Sequence, residues 1–313
     1  MLGMIQVTQS RADFSAPEAG WGLWRALLGW FPLTLFPAAI CFLRARFVAW
    51  EFMWLLSLAI FFGFKWATWF RARDARARAS LKQNFAYLIL WPGMDTSRFL
   101  ANNRSVARPQ AREWISASLK TFAGIILIGF VARKPMRTNL LLDGWAGMLG
   151  IVLFLHFGLF HLISLSWRNV GVDAQPIMRS PALSTSLSEF WGKRWNLGFR
   201  QLTHTIVYEP LRRRAGPTLA LLAAFAASGM IHDLVISFPA RGGYGLPTAY
   251  FLLQGIGVLF EKSRAGRWLG IRSGIRGWTF TLFCVGVLLF WLFHLAFINT
   301  VMLPFFAYLG RFI

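Results

Sequence analysis

Seven apolar stretches recur along the chain, at roughly Trp21 to Phe42, Val48 to Phe70, Ile115 to Ala132, Gly144 to Trp167, Thr218 to Phe238, Leu246 to Phe260 and Trp278 to Ile298. The hydrocarbon core of a bilayer is about 30 Å thick, and an α-helix crosses it in about 20 residues. Every backbone N–H and C=O at that depth needs a partner within the protein, which restricts crossing structures to helices and closed barrels. Long unbroken apolar runs do not arise from the alternating pattern of a lipid-facing barrel strand. The expectation is an all-α, polytopic transmembrane helical bundle of seven or eight spans, the eighth resting on Met302 to Ile313. Residues 1–20 read as an N-terminal lead, because no basic-led apolar core with a cleavage site behind it is present. Residues 21–313 then form a single integral membrane domain.

Charge orders the connections. The chain of 313 residues carries 33 Lys and Arg against 12 Asp and Glu, a formal net charge of +21. In a soluble protein that excess would raise the question of nucleic acid. Here the basic residues lie mainly between apolar runs, so anionic headgroups and the positive-inside bias account for them, and no nucleic-acid partner is expected. Alternating the spans puts "RARDARARASLK" (Arg71 to Lys82), Arg98 to Arg112, Arg168 to Arg214 and "EKSRAGRWLGIRSGIR" (Glu261 to Arg276) on one side. The other side receives only Arg44, Arg46, Arg133, Lys134, Arg137 and Arg241. The crowded side reads as cytoplasmic, and the chain as a multi-pass protein of a bacterial inner (plasma) membrane. Cys41 and Cys284 sit inside apolar runs as small hydrophobes, with no disulfide framework and no metal-ligand spacing around them.

Two connections carry more than a topology signal. "NFAYLILWPGMD" (Asn84 to Asp95) has an apolar run too short to cross, stopped by Trp91-Pro92-Gly93, and reads as an interfacial or re-entrant segment. The connection from 168 to 216 is longer than a helical bundle needs, and long connections on a rigid scaffold often carry function. It contains "SEFWGKRWNLGFRQL" (Ser188 to Leu202), too polar to span and too aromatic for a plain linker. On a helix Trp191 and Trp195 would share a face, suited to anchoring at headgroup depth or to lining an acyl groove.

Five histidines occur, and a polar side chain at membrane depth needs a partner. His156 and His161 are five apart, about 140° around a helix, so they do not converge on a metal. His232 lies within "FAASGMIHDLVISF", after small residues that allow close helix approach and leave room for a ligand. A neutral imidazole there can accept a proton as a general base; the alternative is a packing histidine bonded across the bundle. Asp233 points about 100° away from it and is poorly placed to orient the same ring.

"PALSTSLSEFWGKRWN" (Pro181 to Asn196) resembles the signature of the wax synthase-like branch of the membrane-bound O-acyltransferases, in Phe190, Trp191, Gly192, Arg194, Trp195 and Asn196. "SGMIHD" with His232, 36 positions after Asn196, is similar to the family's second element, and "YLILWPGMD" (Tyr87 to Asp95) to a segment upstream. The likeness runs from about Leu81 to Ile298; family members often have additional N-terminal spans that this sequence would lack. The resemblance implies a membrane bundle with re-entrant or interfacial helices and an enzyme that moves a fatty acyl group from acyl-CoA, as co-substrate, to a long-chain alcohol. It implies His232 as base and Asn196 as its catalytic partner, with no permanently bound cofactor.

The implied chemistry agrees with the residues. Ester formation from a thioester needs a deprotonated hydroxyl and a stabilised oxyanion, and the amide NH₂ of Asn196 is a suitable donor. No Gly-x-Ser-x-Gly elbow is present, which favours direct transfer over an acyl-enzyme. Lys193, Arg194 and Arg200 are candidates for the phosphates of the donor, with ordinary lipid phosphate as the alternative. Other acceptors, such as diacylglycerol, a sterol, a polyketide or a polysaccharide, stay open. A lipid transporter would be expected to show inverted halves, and no internal symmetry is evident.

Overall fold

The structure is a computed structural model in which residues 22–101, 106–133 and 139–312 are described. The expected lead at 1–20 lies outside them, as do Lys134 and Arg137. Among the described residues the regular elements are all helical. Among the described residues five helices are long and apolar enough to cross a membrane: Ala49–Arg71 (α2), Ala111–Arg133 (α3), Leu140–Asn169 (α4), Leu197–Ala240 (α5) and Gly274–Leu292 (α7). A 23-residue helix rises about 35 Å, enough for the hydrocarbon core. The chain is therefore a multi-pass integral membrane protein.

Three more of the expected apolar runs are also helical among the described residues. Leu23–Phe42 (α1) has 20 residues, a rise of about 30 Å, and contains Pro32 and Pro37. Leu295–Leu309 (α8) is shorter. Leu246–Lys262 (α6) has 17 residues and buries Gln254 and Glu261, so it packs as an interior helix.

The amphipathic start of α5 is joined to its apolar part at Gly216, whose φ of 81° only glycine adopts without strain. Pro217 follows, and the pair bends one long element into two arms. On the apolar arm a Cβ at Gly229 would lie 2.5 Å from the Thr248 Cα, so a glycine is required for α5 to approach α6 this closely. That contact lies one turn before His232.

The main core gathers Met53 of α2, Val131 of α3, Met148 of α4, Tyr250 of α6 and Ile298 and Phe306 of α8. The outer face of α3 instead exposes Ile115, Leu119, Phe122, Ile126 and Phe130, a stripe at helical spacing that suits contact with lipid. A second cluster packs Tyr87, Trp91 and Phe99 with Ala174 and Ile177. The helical run Leu81–Phe85 and Ala86–Leu90 feeds this cluster and stops at Trp91, which is extended, because Pro92 removes the next N–H. At ten residues the run is too short to cross, and it packs on this cluster through Ala86 and Tyr87 while Leu81, Phe85, Ile89 and Leu90 stay exposed.

Candidate active site

The stretch around Asn196 folds in four steps. Ser186 caps Leu187–Glu189, its hydroxyl accepting from the Glu189 N–H at 3.1 Å. A π-helical turn spans Phe190–Arg194, and the Trp195 N–H donates to the Phe190 carbonyl at 2.9 Å. Trp195 is extended and Asn196 is left-handed, with φ 39° and ψ 60°. Helix α5 then begins at Leu197. The extra residue in the π turn changes what the two tryptophans do. Trp195 stacks on Phe190 at 5.5 Å and 12°, whereas Trp191 meets Phe225 and Phe251 and donates its indole N–H to Gln254 at 3.3 Å. Trp191 also packs edge-on against Phe190 at 5.0 Å, so both tryptophans contact that ring across the π turn.

Polar contacts hold this turn from both ends. Glu261 of α6 is only 3% exposed, and its carboxylate accepts from the N–H groups of Leu187 at 2.6 Å and Ser188 at 3.1 Å. Glu189 and Arg194 pair at 2.8 Å, and Arg194 also donates to the carbonyls of Arg179 and Ser180. Burial alone would raise the Glu189 carboxyl, but the Thr185 N–H and hydroxyl and the Arg194 guanidinium outweigh it, so the group sits below its ordinary value. Glu261→Leu is expected to leave two amides orphaned at about 1–3 kcal/mol each. The thermal midpoint of the purified protein should fall accordingly, and an unchanged midpoint would remove Glu261 from this role.

Asn196 is the N-cap of α5, its Oδ1 accepting from the Phe199 N–H at 3.3 Å. Because an amide N–H can only donate, that bond fixes which end of the side chain is oxygen. The NH₂ end has no hydrogen-bond partner among the described residues. Asparagine is also among the few non-glycine residues that tolerate the left-handed region.

His232 ends the regular α-helical part of α5, before a π turn at Asp233–Ser237. Its Nδ1 lies 2.7 Å from the Ser228 carbonyl, which can only accept, so Nδ1 carries the proton. The Nε2 of the neutral ring is then a free acceptor, with no hydrogen-bond partner among the described residues. The ring lies 4.4 Å from Phe251 and meets the edge of Phe199 at 6.3 Å. Phe199 therefore touches both candidates, through its backbone and its ring. Asp233 turns away to bond Ser237, Gly245 N and the N–H and hydroxyl of Thr248, capping α6.

Asn196 and His232 line one cavity of about 330 Å³. Trp191, Trp195, Phe225 and Phe251 supply its apolar walls, and Arg200, His204, Tyr208 and Lys262 are polar groups along it. His204 lies 3.5 Å from Glu209 and stacks on Tyr208. Among the basic residues singled out in the sequence, Arg200 is in the lining, while Lys193 is exposed and Arg194 is engaged by Glu189; neither lines the cavity. His156 and His161 are outside the lining as well. Lys262 and Phe251 were missed because they come from α6, more than 50 residues from Asn196, with no local motif to mark them. Phe199 had a signal: it is three residues after an asparagine that opens a helix, the position an N-cap bonds. Among the described residues no cluster of three or more His, Cys, Asp or Glu side chains could hold a metal.

Residues 174–253, which include both Asn196 and His232, match the model of the membrane bound O-acyl transferase family. The chain is 33% identical over 136 residues to probable long-chain-alcohol O-fatty-acyltransferase 2 of Arabidopsis thaliana, covering 40% of this chain and 39% of that protein. It is 30% identical over 160 residues to the long-chain-alcohol O-fatty-acyltransferase of Simmondsia chinensis, covering 46% and 43%. Acyl-CoA–sterol O-acyltransferase 1 of Arabidopsis thaliana is 31% identical over 134 residues, covering 39% and 38%. The chain thus spans about two fifths of the length of the relatives it matches.

Proposed function

We propose that this protein is an acyl-CoA-dependent membrane-bound O-acyltransferase that esterifies a lipid hydroxyl, with a long-chain alcohol as acceptor and a wax ester as product. The observation that carries the reading is the meeting of Asn196 and His232 in one cavity, the first with an unbonded NH₂ and the second with an unbonded Nε2. In this reading His232 Nε2 takes the hydroxyl proton as the alcohol oxygen attacks the thioester carbon. Negative charge moves onto the carbonyl oxygen, where the Asn196 amide donates a hydrogen bond. Collapse breaks the carbon–sulfur bond, and the departing thiolate takes the proton from His232 to leave CoA and ester. Atoms and charge balance without a covalent enzyme intermediate.

The donor enters from the basic side, read as cytoplasmic, where Arg200 and Lys262 offer positive charge to its phosphates. Lys193 extends that charge on the exposed surface of the same segment, and Trp191 and Trp195 form the wall against which the acyl chain lies. The acceptor comes from the bilayer. A sterol is the second reading, because one relative of comparable identity is named for it.

The test is transfer of labelled acyl-CoA to a panel of long-chain alcohols, sterols and diacylglycerol by purified, reconstituted protein. Ester is expected with the alcohols at the highest kcat/KM. Ester with sterols alone would move the acceptor, and no ester with any hydroxyl would overturn the enzymatic reading.

A further inference from the structure

Lys65 lies in the last two turns of α2 with its side chain fully buried, and no carboxylate among the described residues pairs with it. A buried amine is costly unless its N–H groups are used. Here Nζ donates to the Gly93 carbonyl at 2.7 Å and sits 3.3 Å from the centroid of the Tyr87 ring. The acceptor is one that needs a donor. Gly93 lies in the irregular segment between the helical run that ends at Leu90 and the short helix Thr96–Leu100, so no helical N–H reaches its carbonyl. A side chain at Gly93 would collide with the folded-back Trp91 indole, so the loop is held compactly at that residue.

The other side of this loop meets the first turn of α5. A Cβ on Gly198 would lie 3.5 Å from Met94 N and 3.7 Å from the Gly93 Cα, which is ordinary contact with the loop backbone. Gly198 is two residues after Asn196. On a second side the Asn196 N–H points at the Met178 sulfur at 3.1 Å, and the Leu197 N–H bonds the Ile177 carbonyl at 2.9 Å. Ile177 packs in the same cluster as Tyr87 and Trp91. A non-glycine residue in the left-handed region persists only where its surroundings hold it there.

We infer that Lys65 is a positioning residue for Asn196: by clamping the Gly93 carbonyl it seats the 91–95 loop against Gly198 and so fixes the turn that aims the Asn196 amide into the cavity. The inference rests on the reading that Asn196 acts in acyl transfer. Lys65 itself is not among the residues lining the cavity, so its effect passes through the loop.

Lys65→Met keeps the stem and removes the donor. It is expected to lower kcat by about tenfold or more while the KM for acyl-CoA moves by less than about threefold. In an Asn196→Asp background the same substitution should have no further effect on kcat, because the group it positions is gone. Independent, multiplying losses overturn the inference, as does a wild-type kcat in Lys65→Met. If Lys65→Met does not yield folded protein, Gly198→Leu presses the loop away from the other side, and it should give the same kcat-selective loss; a wild-type kcat there overturns the inference. A readout without activity separates this idea from the proposed reaction. With Cys41 and Cys284 replaced by Ala, maleimide labelling of a Met94→Cys protein should accelerate several-fold on adding Lys65→Met. An unchanged labelling rate overturns the clamp; accelerated labelling in a protein that transfers no acyl group would sink the proposed function and leave the clamp standing.

Discussion

Replacing His232 with Asn is expected to lower kcat for acyl transfer by on the order of 10²–10⁴-fold, with a far smaller change in the KM for acyl-CoA. Asparagine is chosen because its amide can still donate to the Ser228 carbonyl, as Nδ1 does at 2.7 Å, while nothing remains at the place of Nε2. The turn therefore stays satisfied and only the proton acceptor is lost. The acceptor's acidity supplies a second readout. An alcohol carrying electron-withdrawing fluorine near its hydroxyl ionises more readily and needs less help from a base. Its rate should fall less in His232→Asn than that of the parent alcohol, as Brønsted behaviour requires. Steady-state kinetics on folded, purified variant protein with both alcohols decide the matter. A kcat within about twofold of wild type would remove His232 from proton transfer and return it to packing against Phe251.

Long apolar runs made the membrane architecture legible, since length and composition alone settle what five of the helices can do. Hydropathy does not register the prolines inside α1 or the burial of Gln254 and Glu261 on α6. The two candidate residues were marked in the sequence by different signals: His232 by the small residues before it, and Asn196 by the resemblance of the aromatic, basic segment that contains it. Their meeting in one cavity was not, since it depends on the bend at Gly216 and the close approach at Gly229. The π turns at Phe190–Arg194 and Asp233–Ser237 were hidden for a different reason. One inserted residue rotates everything after it by about 100° without changing any residue type. Across that turn Trp195 stacks on Phe190 while Trp191 reaches Phe225, Phe251 and Gln254. Lys65 was illegible because a lysine in an apolar run carries no sign of the carbonyl it will find. Lys262 and Glu261, neighbours on α6, show how finely the outcome depends on helical phase: one lines the cavity and the other braces the segment opposite.

Asn196→Asp is expected to reduce kcat by about 10²–10³-fold, the usual consequence of removing one oxyanion donor. Asn196 serves the fold and the chemistry at once, so an alanine would confound them. Losing the N-cap costs about 1 kcal/mol, and an alanine in the left-handed region costs about 1–2 kcal/mol more. Aspartate avoids both losses. It tolerates the same backbone region, and its carboxylate still accepts from the Phe199 N–H that Asn196 caps at 3.3 Å. What it lacks is the NH₂. In its place stands an oxygen that repels the developing oxyanion and could only take protons from the acyl site. The thermal midpoint should therefore stay near that of the wild type while kcat collapses. Asn196→Gly supplies the reverse separation, because it keeps the left-handed turn at little steric cost but loses both cap and donor. It should match the aspartate variant in kcat and fall below it in stability. If Asn196→Asp turns over at the wild-type rate, the amide is not the oxyanion donor, and Asn196 is a cap that shapes the cavity wall for His232 to act alone.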